Sequence, residues 1–282
     1  MTSGDGAGRD FSIRGGSVNG DSRYTTPFWW WGPGWAAPAE RGIDELLRDE
    51  TLDSWTAANL WAALARQRSL AVISGPSGVG KTTLLTALLD FLPPRTRRVY
   101  PRGCFEAFAF LSDPAFPAGE TALLINEISP HLPVYLWGPA VARTLESKNL
   151  GYTVLATAHA DTVQEFFGVL TGSPLRLRAS LVAVFEFVVV MERSAQTKSG
   201  RRVRGVWRLE RTTSGVDLEE LSEISGKAPI EDSQSGRRPE SWFPIDELSQ
   251  RQQLLHELRE RHIEQLPVVP CTGAARRSPL QP

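Results

Sequence analysis

The residues Gly75, Pro76, Ser77, Gly78, Val79, Gly80, Lys81 and Thr82 carry the spacing G-x-x-x-x-G-K-[ST]. That pattern is a phosphate cradle: glycines let the backbone bend close to an anion, and successive N–H groups point at it. Lys81 is placed to reach the β- and γ-phosphates, and the Thr82 hydroxyl to hold Mg²⁺; Thr83 continues the run. The chemistry implied is binding of a nucleoside triphosphate. Hydrolysis would further need a carboxylate to orient or activate water beside the metal. Two short segments offer groups for this. Leu123 to Ile125 is apolar and is followed by Asn126 and Glu127, and residues 156–161 read Ala-Thr-Ala-His-Ala-Asp, with Thr157 and His159 able to sense a γ-phosphate.

These groups must be positioned by regular elements. Residues 70–74 before the loop read as a short buried strand, and residues 82–89 after it as a helix whose positive end faces the phosphates. Residues 98–100 read as a second strand. Residues 122–125 are continuously apolar, as expected of a third strand buried on both faces. Residues 135–147 read as a helix stopped at Gly151, residues 152–156 as a fourth strand and residues 162–170 as a helix. The alternation predicts an α/β fold, a mainly parallel sheet flanked by helices. In such sheets functional residues gather at the carboxyl ends of strands, where Glu127 and His159 fall.

Upstream, residues 43–47 start a helical stretch. Asp53 or Ser54 can cap a helix that carries Ala57, Leu60, Trp61 and Leu64 on one face. Residues 181–192 and 202–211 flank a turn-rich segment, 194–200, and predict a closing β-hairpin. Residues 243–265 carry Leu248, Leu255, Leu258 and Ile263 at helical spacing. Residues 226–240 read as a polar linker, and the last residues, rich in Pro, Arg and Ser, as loose. Residues 1–26 read as disordered, and four tryptophans between Pro27 and Trp35 as a flap or contact surface. The expected division is 1–40 N-terminal segment, 41–212 nucleotide domain and 213–282 linker with helical tail.

A net charge of −1 gives no general pull toward nucleic acid or an anionic membrane. Two cysteines, Cys104 and Cys271, have no metal spacing and suggest no disulfide framework. The most apolar run, residues 181–191, is broken by Glu186 and is too short to span a bilayer, and the N-terminus lacks the apolar core of a signal peptide. A cytoplasmic protein is expected, with room for a peripheral place at the inner face of the cytoplasmic membrane.

Residues 43–212 resemble, collinearly, the type II/type IV secretion ATPase family, the motors of secretion systems and pili. Residues 42–47 and 51–55 resemble the linker helices before that family's nucleotide domain. Residues 71–83 resemble its Walker A strand and loop, Leu124 to Ile128 its Walker B segment, and residues 149–160 its histidine box. Residues 176–190 and 201–209 resemble its closing strands. Departures are visible as well: Asn126 stands where a glycine is usual, Ser129 where an arginine is expected, and the stretch before Glu127 is short. Glu106 is the candidate for the family's acidic box, and Arg98 and Arg102 are candidates for its phosphate-touching arginines. Only Phe11 to Arg14 resembles the end of its separate N-terminal domain.

The resemblance implies a RecA-like domain, ATP and Mg²⁺ as ligands, Lys81, Glu127 and His159 as catalytic residues, and Thr82 and Glu127 as metal ligands. It also implies a hexameric homo-oligomeric ring and a membrane-embedded secretion or pilus platform as partner, with no specific nucleic acid. Two other readings stay open. One is a catalytically weak nucleotide-binding scaffold or regulator. The other is a DNA-related P-loop ATPase or small-molecule kinase, for which Arg201, Arg202 and Arg204 supply only a small basic patch.

Overall fold

A computed structural model describes Tyr24 and residues 41–213, 215–221, 242–261, 266–267 and 269–271. The expectations for the tryptophan-rich segment, for residues 226–240 and for the end of the chain lie outside the described residues, as do those for residues 1–26 apart from Tyr24. That residue departs from the disorder expected around it: its ring is buried edge-on against Phe110 and Phe116. Its carbonyl accepts a 2.9 Å hydrogen bond from Tyr100 N.

Helices α1 (Ile43–Arg48) and α2 (Ser54–Ala65) precede β1 (Leu70–Ile73), and α3 (Lys81–Leu88) follows it. The Asp53 carboxylate accepts from Thr56 N at 2.9 Å and so caps α2. Next come β2 (Arg97–Val99), β3 (Thr121–Ile128), α4 (Pro139–Glu146), β4 (Thr153–Ala158) and α5 (Val163–Thr171), the last capped by Thr162. The chain closes with α6 (Ala179–Val182), β5 (Phe187–Arg193), β6 (Arg201–Thr212), β7 (Gly215–Glu220) and α7 (Ile245–Arg261).

The strands form one sheet in the order β2-β3-β4-β1-β5-β6-β7. The first five are parallel, and β6 and β7 add as antiparallel strands. The fold is therefore the expected α/β one, with the strand before the phosphate loop in the middle and β4 between it and β3. Alternate strand residues feed two cores. Leu70, Val72, Leu124, Leu155 and Val189 face α1, α2, α3 and α7. Ala71, Ile73, Ile125, Ala156 and Val190 face α4, α5 and α6. Burial on both faces explains the continuous apolar runs.

Three boundaries differ from expectation. The helix expected over 135–147 begins only at Pro139, because Leu136 is held by β3 (Leu136 N donates to Glu127 O at 2.9 Å) and Gly138 turns the chain at φ +65°. The strand expected from Leu181 begins at Phe187; residues 179–182 are helical, and the following residues turn beneath the sheet. The sheet also runs past the hairpin into β7, whose short alternating pattern is too polar to be read as a strand.

α7 is fastened to α2 by charge as well as apolar contact. Arg66 makes paired hydrogen bonds to Glu247 at 2.7 and 2.6 Å, and Arg251, wholly buried, donates to the same carboxylate at 2.9 Å. Arg251 also lies over Trp61, 4.8 Å from the ring centre. Among the described residues no helix is long and apolar enough to cross a membrane.

Candidate functional site

The site forms at the carboxyl ends of β1, β3 and β4. Because β1 pairs in parallel with β4 on one side and β5 on the other, its end is fixed within the sheet. The phosphate loop then departs under tight control. Ser74 Oγ donates to Pro76 O at 3.1 Å, and Gly78 and Gly80 take φ of +75° and +96°, a region that strains other residues. At Gly75 a Cβ would lie 1.9 Å from Asp161 Oδ1, so a larger residue there would have to push that exposed side chain aside. Pro76, Ser77 and Gly78 form an exposed crest, while Val79 is buried beneath it.

Gly80 is the N-cap of α3, and no side chain caps that helix end. The N–H groups of its first turn, at Lys81, Thr82 and Thr83, have no intrahelical acceptor. Together with the loop they form a concave array of donors at the positive end of a helix. Lys81 is buried, and its ammonium has one hydrogen-bond contact among the described residues, His159 Nδ1 at 3.3 Å. Burial pushes its pKa below the ordinary lysine range, and the Glu127 charge opposes that shift. A buried cation facing a ring of N–H donors fits a polyphosphate.

Glu127 reaches this point through a bulge. β3 and β4 pair regularly to Ile125↔Ala156 and resume at Ile128↔Ala158, so Asn126 and Glu127 oppose Thr157 alone. The bulge is held by a hydrogen bond from Thr157 Oγ1 to Asn126 O and by the backbone bond from Leu136 to Glu127 O. Such an extra residue re-aims the side chain that follows it. Glu127 is buried, and its Oε1 lies 3.2 Å from His159 Nε2. The contact is a bent one, in which Oε1 has no well-directed donor, yet the ring N–H and its charge both draw on the carboxylate.

His159 thus joins the carboxylate to the loop. Its Nε2 faces Glu127, while Nδ1 lies 3.0 Å from Gly75 O and 3.3 Å from Lys81 Nζ. Nδ1 can serve only one of these neighbours at a time: protonated, it donates to Gly75 O; unprotonated, it accepts from Lys81. Glu127 raises the His159 pKa above its ordinary 6.5 against the opposition of burial and of Lys81, with Gly75 O adding to the rise. The sign follows. The imidazolium's contribution to stability is full below pH 6.5 and is lost as pH rises through the raised folded midpoint. We expect the His159 ring signal, followed by NMR in the unliganded protein, to titrate above 6.5, and in Glu127→Gln to titrate lower, since Lys81 and burial are then opposed by Gly75 O alone. An unchanged midpoint in the variant would show that Glu127 does not govern this imidazole.

The structure brings Lys81, Glu127 and His159 together and leaves other candidates apart. Arg98 lies on β2, three strands from β1, which at about 4.8 Å per strand is well beyond side-chain reach. Its neighbour is Tyr100. Glu106 accepts from the N–H groups of Arg102 and Phe108, so it braces its own loop. Ser129 is buried, and its Oγ accepts from His131 N at 3.2 Å, closing a turn where a cation was expected by resemblance. No group of three or more His, Cys, Asp or Glu able to hold a metal occurs among the described residues. A magnesium ion would therefore rely on Thr82, Glu127 and phosphate oxygens, which suits an ion that keeps several waters.

Two neighbours of the loop escape sequence reading. Arg193, at the end of β5, donates to Ser77 O at 3.4 Å. A Cβ on Gly80 would lie 3.2 Å from Arg201 Nη1. Read alone, arginines in a turn are solvated charges. The available signal was topological, because a strand parallel to β1 and paired with it must end beside the phosphate loop.

Solved structures similar to this chain include three ATPases. The VirB11 ATPase of the Brucella suis type IV secretion system, in complex with sulphate, aligns at 17% identity with a TM-score of 0.39, over 62% of this chain and 61% of that one. The Legionella pneumophila ATPase DotB aligns at 15% identity with a TM-score of 0.32, over 71% of this chain and 55% of that one. The Yersinia pseudotuberculosis ATPase DotB aligns at 14% identity with a TM-score of 0.33, over 75% of this chain and 55% of that one. The chain covers less than two thirds of the length of each. No family model and no curated protein matches it.

Proposed function

We propose that this chain binds ATP and hydrolyses it as a motor subunit of a type II/type IV secretion or pilus-assembly machine. It would work as a homo-oligomeric ring against a membrane-embedded platform at the cytoplasmic face. The observation that carries the reading is the convergence of Lys81, His159 and Glu127 within hydrogen-bond or ion-pair distance at the mouth of the phosphate loop.

The roles follow from position. The loop N–H groups and Lys81 hold the triphosphate, and the Lys81 ammonium counters charge on the β- and γ-phosphates. Magnesium, held by the Thr82 hydroxyl with Glu127 nearby, would supply further charge neutralisation on the phosphate oxygens. The Glu127 carboxylate orients water for attack on the γ-phosphorus and takes its proton as the bond to the ADP oxygen breaks. His159 bridges this base to Gly75 O, so the loop and the base move together.

Ser129 supports slow turnover by the isolated chain, because losing an arginine that stabilises transition-state charge costs on the order of 10³-fold or more. It equally favours the second reading, a catalytically weak nucleotide-binding component. Measuring molecular size and phosphate release together, with and without ATP·Mg²⁺, tests both. The motor reading expects slow release from monomers and a faster rate in a nucleotide-dependent ring. Binding without turnover in every oligomeric state selects the second reading, and rapid hydrolysis by a monomer contradicts slow, assembly-dependent turnover.

A further inference from the structure

The phosphate loop has two flanks. On the β4 side lie His159 and Glu127, and Lys81 is directed toward them. On the β5 side a cavity of about 260 Å³ opens between α1, the loop and the turn joining β5 to β6. Its wall is part apolar, from Val79 and Met191, and part polar, from Gly80, Thr83 and Arg201. Of the four arginines around this turn, three are engaged: Arg193 with Ser77 O, Arg202 with Glu192 at 2.7 Å, and Arg204 with Asp161 O at 2.9 Å. The Arg201 guanidinium has no hydrogen-bond or carboxylate partner among the described residues, and it lies against Gly80.

The backbone of Arg201 is fixed. Arg201 N donates to Thr197 Oγ1 at 3.0 Å, and Thr197 Oγ1 donates back to Arg201 O at 2.8 Å. Gly200 turns at φ +71°, and its carbonyl accepts from Ser194 N at 3.0 Å. The turn is tied in addition to the α1–α2 connection. The Ser199 and Thr51 hydroxyls are 2.7 Å apart, and Val203 N donates to Thr51 O at 2.8 Å. A guanidinium without such a partner among the described residues, on a braced turn beside a row of backbone N–H donors, is suited to a phosphate oxygen, which its planar fork can meet with two hydrogen bonds.

We propose that this cavity receives the nucleoside end of the bound triphosphate, with Arg201 as the ligand of its innermost phosphate. The inference rests on the triphosphate reading above and adds the direction in which the ligand lies. The outer phosphates point to Lys81 and the β4 flank; the chain of phosphates crosses Gly80 and Thr83; the base settles against Val79 and Met191. Arg98 stands too far off on β2 for this role, and the β5–β6 turn offers a guanidinium beside the loop.

The test is calorimetric titration of the full chain and of its Arg201→Ala and Arg201→Lys variants with ADP and with inorganic tripolyphosphate, alongside the unliganded melting midpoint. Loss of one charge-assisted hydrogen-bonded contact predicts ADP binding weakened about tenfold to a hundredfold in Arg201→Ala. Arg201→Lys, which keeps the charge but not the fork, should fall between that variant and the parent chain. The exposed side chain makes no contact the fold needs, so the melting midpoint should hold. The parent chain should prefer ADP to tripolyphosphate, which has nothing to place in the cavity. ADP binding by Arg201→Ala within about twofold of the parent, or a parent preference for tripolyphosphate, would overturn the inference and leave the triphosphate reading standing. Failure of the parent chain to bind ATP or ADP would remove both.

Discussion

Lys81→Ala is expected to abolish measurable nucleotide binding. The ammonium is buried at the loop mouth, and among the described residues its hydrogen-bond contact is the His159 imidazole rather than a carboxylate. Hydrogen bonds to charged partners are worth about 1.5–3 kcal/mol each, so losing those to two phosphates weakens binding by a hundredfold or more. The unliganded fold should tolerate the change. Burial lowers the Lys81 pKa, which means the folded protein holds that proton less tightly than the unfolded chain does. At neutral pH the charge is a burden on the fold. Titration of ATP into the variant, with the unliganded melting midpoint as control, checks both halves. Binding at the parental affinity would remove Lys81 from the site.

Glu127→Gln should have the opposite profile, with nucleotide affinity within a few-fold of the parent and turnover lower by about 10²–10⁴-fold, the usual contribution of a positioned general base. Glutamine keeps the shape that the β3 bulge presents but cannot take a proton from water. Neutralising the carboxylate removes the charge beside His159 while the amide oxygen can still face the same ring nitrogen. Single-turnover phosphate release with excess protein separates this from a binding defect. A parental rate in the variant would remove Glu127 from the mechanism.

Much of this geometry was legible in the chain because it is local. The loop spacing, the apolar run before Glu127 and the strand before His159 are each short segments whose type follows from pattern. A parallel sheet then brings their carboxyl ends to one edge. The bulge at Asn126 and Glu127 was not legible, since it depends on pairing with Thr157 and on Leu136 returning to β3. The late start of α4 has the same origin: a segment with helical residues is held extended by a neighbour distant in sequence. Leu181 to Phe185 reads as strand by composition, yet it packs as a helical turn under α4 and α5. Arg201 reads in the sequence only as part of a small basic patch, because no local pattern shows that its turn lies beside the phosphate loop.

The two rims of the sheet differ in how they resist recruitment of a foreign strand. β2 has only three residues, and Tyr24 holds the chain just beyond its end. β7 is longer and more exposed, and three of its six residues, Asp217, Glu219 and Glu220, are acidic. A second β7 laid alongside would bring like charges into register, a repulsion that discourages fibre-like growth. Among the described residues, both edges of the sheet are thus poor templates for an added strand.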